Sequence, residues 1–404
     1  MSTTLSGSYN TAFNLTISFQ SPVTVARTGY FSVASDAAIY GHPGHYWSVL
    51  NLGRIYSTDT FSGAGIQLNS SGSVTNGQSG PGEDTAQIRG GLIGVLIDGD
   101  TAAVTNFGRI GAGPLTSDTS VYGVQLLGTT VSTVTNGDHG LIYGSSIGVL
   151  TQSGPATIVN SGRLAAPEFS GSAVKLTGAG NDSVSNSGAI YGGDGIEIDK
   201  GSATITNTGS IFGTGTSSGN GVVLDAGGAL YNGLKPFETG YILGRYAGVA
   251  ASDAPATVVN LDRITGKSAA SLGVELSDGG SLVNGSSNDT GASIVGGVGA
   301  RLGSAGSVTN FGTIKGTSAY VGDGIRLDGF VSNRTVDNAS SAALISGTRY
   351  GVLSLNPTTL TNFGTIEGTI GASLSAGLNQ VPSTVTNAGT ITGSSGTALS
   401  FGAA

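Results

Sequence analysis

The chain has 404 residues, a formal net charge of -8 at pH 7 and no Cys. The acidic balance and the lack of any Lys/Arg run argue against nucleic acid or an anionic membrane surface as a partner. Disulfides are excluded, and no apolar run approaches the roughly 18 residues that a bilayer-spanning helix needs. Charged residues are only 10% of the chain, and Gly accounts for 71 positions. Gly-rich chains are often disordered. Here the aliphatics recur in register with Gly, which favours an ordered chain whose Gly sit at corners needing positive φ.

Met1 to Ser8 has neither the charged region nor the apolar region of a standard secretory signal peptide. The chain is therefore expected to stay inside, to leave by another route, or to have lost a leader. In residues 1–47, Phe13 to Phe19 alternate apolar and polar, and Pro22 to Ala26 and Tyr30 to Val33 read as further short strands. Aromatics concentrate here, including Tyr9, Phe13, Phe19, Phe31, Tyr40 and Trp47. This segment is expected to be a first coil and cap, because terminal units of a repeat array are atypical.

Residues 48–404 repeat one motif: aliphatic, any residue, Asn, any residue, Gly, any residue, aliphatic. Its clearest copy is Val308-Thr309-Asn310-Phe311-Gly312-Thr313-Ile314. The aliphatic-x-Asn element ends at Asn51, Asn76, Asn106, Asn136, Asn160, Asn186, Asn207, Asn232, Asn260, Asn284, Asn310, Asn338, Asn362 and Asn387. These 14 positions are spaced 21 to 30 residues apart, with a mean of about 26. A period of this size marks a solenoid.

Each unit holds three short apolar pieces. The first is Gly-aliphatic-x-aliphatic, as in Gly123 to Leu126, Gly273 to Leu276 and Gly324 to Leu327. Its variable residue (Gln125, Glu275, Arg326) is expected to face solvent while its neighbours face the core. An outward residue such as Arg326 should then tolerate Ser at a cost under about 0.5 kcal/mol, as ordinary surface positions do. The second piece carries the Asn, and the third is Gly-x-aliphatic. All are too short for helices and too short to pair as isolated hairpins. Stacked on the next coil they form parallel sheets. The predicted fold is all-β: a single-chain parallel β-helix, or β-solenoid, of about 14 coils of roughly 26 residues with three short strands per coil.

The repeated Asn is expected at the turn between the second and third pieces. Asn tolerates left-handed backbone and bonds neighbouring backbone, and stacked amides can form a ladder. Insertions fall at two corners, among them Gly77–Gly90, Gly233–Gly240 and Gly111–Gly123. Their Gly/Ser/Thr/Asp content reads as solvated linker.

The Val-Thr-Asn-x-Gly-x-Ile-x-Gly unit resembles the β-solenoid repeats of bacterial surface and secreted proteins, of the autotransporter-adhesin passenger and filamentous-haemagglutinin type. The resemblance covers about 48–402. It implies a right-handed parallel β-helix at the cell surface or outside the cell. The chain departs from autotransporters in ending at Ala404 with no translocator barrel, which points to a passenger fragment, a separately exported subunit or a different system.

Catalytic signatures are sparse. Glycoside hydrolysis needs two carboxylates facing each other across a groove. Glu197 and Glu275 share the outward position three coils apart, while Asp98 with Asp100 and Asp194 with Asp199 read as turn residues. His42 and His45 flank the only Trp, Trp47, and read as aromatic packing; two ligands without Cys make a poor metal site. Gly178 to Asp182 resembles half of a Ca²⁺-binding nonapeptide, but it occurs once. No catalytic, metal or cofactor residue is assigned.

The expected function is non-enzymatic and structural: an extracellular or surface subunit that stacks head-to-tail into a filament of biofilm matrix or surface fibre. Its contact candidates are Phe13, Leu15, Ile17 and Phe19 near one edge and Leu399 and Phe401 near the other. The partner is then a second copy, with cell-surface or matrix polysaccharide as a further one. The alternatives are an adhesin passenger that binds glycans through its corner loops, and a polysaccharide-active enzyme.

Overall fold

The computed structural model describes residues 2–34, 36–80, 85–112, 121–167, 171–216, 219–234, 239–329, 334–375 and 382–402. The architecture is a β-solenoid of about 14 turns with about 25 residues per turn. Every strand pairing between turns is parallel, as in Gly72–Asn76 beside Thr101–Asn106. The one helical turn among the described residues is a 3-10 turn, Ser18–Gln20. Among the described residues no helix is long and apolar enough to cross a membrane.

The chain divides into two compact units, Met1–Gly201 and Ser202–Ala404. In both, each coil runs from an Asn strand to a third-piece strand, then to a first-piece strand, and on to the next Asn strand. One coil of the first unit reads Gly72–Asn76, Gln87–Gly90, Ile93–Ile97. One coil of the second reads Gly306–Asn310, Thr313–Gly316, Asp323–Leu327.

Period-2 alternation in the sequence becomes an inside and an outside. In Asp323–Leu327, Ile325 and Leu327 are fully buried while Arg326 between them is half-buried. Identical positions stack in register, so Ile55, Ile88 and Ile110 lie one above another and are all buried. Burying one such side chain contributes roughly 1.5–3 kcal/mol, and the gain recurs in every turn. Residues 2–47 follow the same register and make two ordinary coils: Leu5 pairs with Val25, and Val25 with Asn51. Two aliphatics therefore occupy the Asn position in these first coils.

The Gly positions serve two purposes. In three of the four places where Gly directly follows the Asn, Gly77, Gly233 and Gly285 but not Gly137, φ is positive, at 84°, 75° and 80°, the left-handed region that Gly enters without strain. In the short Asn-x-Gly link the requirement is closeness instead. A Cβ at Gly312 would lie 2.2 Å from the carbonyl oxygen of Ala292 in the coil before. The repeated Asn do not take left-handed geometry. The non-Gly residues with positive φ among those described are Asp36, Ser153 and Asp253. Each Asn is instead the last extended residue of its strand, with its side chain turned into the core.

Candidate functional site

The Asn side chains form buried columns. In the first unit the Nδ2 of Asn51 donates to Asn76 Oδ1 at 2.7 Å, Asn76 to Asn106 at 2.7 Å, Asn106 to Asn136 at 2.8 Å, Asn136 to Asn160 at 2.8 Å and Asn160 to Asn186 at 2.7 Å. In the second unit the chain of donations runs Asn207, Asn232, Asn260, Asn284, Asn310, Asn338, Asn362, Asn387, with spacings of 2.7–2.9 Å. The second amide hydrogen is used as well. Asn310 also reaches the carbonyls of Gly312 at 3.0 Å and Leu344 at 3.1 Å. From Asn51 to Asn362 these residues are at most 1% exposed, so each amide is committed to stacking and no amide face is presented to a ligand. Asn387, in the outermost described coil, is exposed.

Of the acidic residues weighed for catalysis, Glu197, Asp199 and Glu275 are held in ion pairs, and Asp194, read as a turn residue, is instead the first residue of the strand Asp194–Ile198 and is buried. Lys175 Nζ lies 2.8 Å from Glu197 and 3.2 Å from Asp199, and the Ser172 hydroxyl also donates to Glu197. Burial raises Glu197, but the Lys175 and Ser172 hydrogen bonds outweigh it and hold its carboxyl below the usual range. Asp100 accepts from the Thr129 hydroxyl at 2.7 Å. His42 packs edge-on against Tyr40 at 4.9 Å and His45 against Trp47 at 5.3 Å, while the buried Trp47 donates to the His42 carbonyl at 2.7 Å. No group of three or more metal-ligating side chains occurs among the described residues. Asp182 is 3% exposed; its Oδ1 accepts from the Ala156 amide at 2.7 Å, and burial pushes its carboxyl up to about 6.

The second unit carries an ionic ladder that the sequence reading did not anticipate. Glu275, Arg301 and Arg326 take the same outward position in successive coils. Arg301 bridges Glu275 at 3.0 Å and Asp328 at 2.8 Å; Arg326 meets Asp328 at 2.9 Å; Arg349 grips the fully buried Asp323 at 3.1 Å. Arg326 is thus a network member and not a free surface residue. Opposite charges at the outward position of successive coils, Glu275 and Arg301, were the sequence signal for it.

The six contact candidates separate. Leu15 is fully buried within its own unit, so it is a core residue and offers no contact surface. Ile17 is 43% exposed and Phe401 is 59% exposed; Phe13 and Leu399 are half-buried. The Phe19 side chain lies outside the described residues. The corners 81–84, 113–120 and 235–238, within Gly77–Gly90, Gly111–Gly123 and Gly233–Gly240, also lie outside them. No family model matches this chain, no curated protein matches it, and no solved structure matches it.

Proposed function

We propose that the chain is a non-enzymatic structural protein of the cell surface or extracellular space, whose coils join those of a second copy into a filament. The observation that carries this reading is the change in burial at one edge. Leu360, Ile366, Ala372 and Leu374 are fully buried, whereas their register partners in the adjoining coil, Val385, Ile391, Leu399 and Phe401, are half-buried or exposed. Among the described residues this coil is the outermost, and its free side presents a row of backbone donors and acceptors together with an apolar interior, which is a template for further parallel strands. Laying another coil there would bury those side chains and extend the Asn column beyond Asn387. Absence of Cys fits a surface protein that draws its stability from stacking.

Negative-stain electron microscopy of concentrated protein should show unbranched fibres. Leu399→Lys with Phe401→Lys should abolish them and leave the melting of the monomer nearly unchanged. A strictly monomeric wild-type protein at high concentration would overturn the filament.

A further inference from the structure

An open groove of about 530 Å³ runs across the third-piece strands of the first unit. Its chemistry differs from the rest of this acidic chain. Its lining comes from two outward rows: Gln87 and Arg109 from one, with Arg54 stacked in register beside Gln87, and Tyr56, Arg89 and Tyr143 from the other, with Gly111 in register between the last two.

The groove is built, not incidental. A Cβ at Gly111 would lie 2.0 Å from the Tyr143 ring, so the ring folds back across the space that a side chain there would fill. Tyr56 donates to Gln87 Oε1 at 2.6 Å and packs edge-on against Tyr30 at 5.7 Å. Both contacts fix the ring. Among the described residues no carboxylate pairs with Arg54 or Arg109. Among the described residues, Asp59, in the corner that borders the groove, is engaged by the Phe61 amide at 2.9 Å and by the Ser62 hydroxyl.

The geometry points to a binding site for a linear acidic oligosaccharide, with carboxylated sugars spanning Arg54 and Arg109, two rungs apart in one row, and packing on Tyr143. Guanidinium groups bind carboxylates through paired, charge-assisted hydrogen bonds. Tyr rings offer an apolar face to the C–H side of a pyranose and a hydroxyl to its rim. The amide of Gln87 supplies neutral polar contacts. Successive rungs of the rows are about 4.8 Å apart, close to the length of one sugar in an extended chain. A single-stranded nucleic acid fits less well: Tyr30 and Tyr56 are nearly perpendicular, at 81°, instead of forming a stacking platform for bases.

The test is fluorescence anisotropy with labelled tetragalacturonate, neutral cellotetraose and a four-residue oligo-dT. Tetragalacturonate should bind at least about tenfold more tightly than the other two. Arg109→Ser and Tyr143→Ala should each weaken it by about tenfold, the size of one lost charge-assisted contact, with thermal midpoints unchanged. Gly111→Val should weaken it by displacing the ring. No binding of tetragalacturonate, equal binding of cellotetraose, tighter binding of oligo-dT, or variants that bind like wild type would each overturn the site. The result is independent of whether fibres form.

Discussion

Asn310 accepts a hydrogen bond from Asn284 at 2.8 Å and donates one to Asn338 at 2.9 Å, so a single amide holds three coils together. Asn310→Ala leaves Asn338 Oδ1 without its donor and Asn284 Nδ2 without its column acceptor in a fully buried site, while the Gly312 carbonyl keeps the Leu344 amide at 2.8 Å. Orphaned buried polar groups cost about 1–3 kcal/mol each, and the expected loss is about 2–4 kcal/mol. Asn387 accepts from Asn362 at 2.7 Å but is itself exposed, so water replaces what Asn387→Ala removes and the loss should stay under about 1 kcal/mol. Urea denaturation of the two variants measures the difference. Equal losses would mean that the column is not a stabilising element.

The alternation in Asp323–Leu327 sets a second contrast. Ile325→Asp places an unpaired charge in the core and should cost more than about 3 kcal/mol. Arg326→Ser removes one arm of the ladder but leaves Asp328 with Arg301 at 2.8 Å. Its cost should be on the order of 0.5–1 kcal/mol and should shrink in high salt, as part-exposed ion pairs do. Thermal melts at two salt concentrations read both effects. A salt-independent loss for Arg326→Ser would show that the ladder acts through packing instead of charge.

Asp182 gives the fold a pH dependence. Burial raises its folded pKa to about 6 from an ordinary 3.8. Between those values the folded chain holds a proton that the unfolded chain has lost. Stability therefore falls as pH rises through this window and levels off above about 6. The drop is at most about 3 kcal/mol. Asp182→Asn keeps an acceptor for the Ala156 amide and should flatten this slope, making the variant more stable than wild type at pH 7 and no more stable at pH 4. Melting midpoints across that range decide it; parallel curves would refute the assignment.

How much was legible depended on whether a feature repeats. The solenoid and the facing of each strand could be read because the Asn and its flanking aliphatics recur at a nearly fixed period, and each copy reports on the others. The Asn backbone conformation was misread. Asn in a turn-like context suggests left-handed geometry, but a buried amide that bonds up and down its column requires an extended strand end. The groove stayed hidden for a different reason. Arg54, Arg89, Arg109 and Tyr143 are far apart in sequence, and each looks like an isolated surface residue until the register places them on adjacent rungs. Leu15 was misplaced because a chain-terminal apolar strand looks available, whereas its own coil already encloses it.

Arg334 breaks the pattern of its column. Its register partners are Gly306 and Thr358, both small, whereas Arg334 is 1% exposed and its Nε, Nη1 and Nη2 have no hydrogen-bond partner among the described residues. Burial depresses its pKa, and the nearby Asp328 opposes the shift only in part. A buried cation without a partner costs several kcal/mol that an apolar side chain of similar length does not. Arg334→Met keeps the packing stem and removes the charge, so it should stabilise the protein by about 1–3 kcal/mol. Arg334→Ala removes the stem as well and should give back most of that gain through a cavity. Chemical denaturation of both variants checks the argument. A Met variant less stable than wild type would mean that the guanidinium is paired in solution.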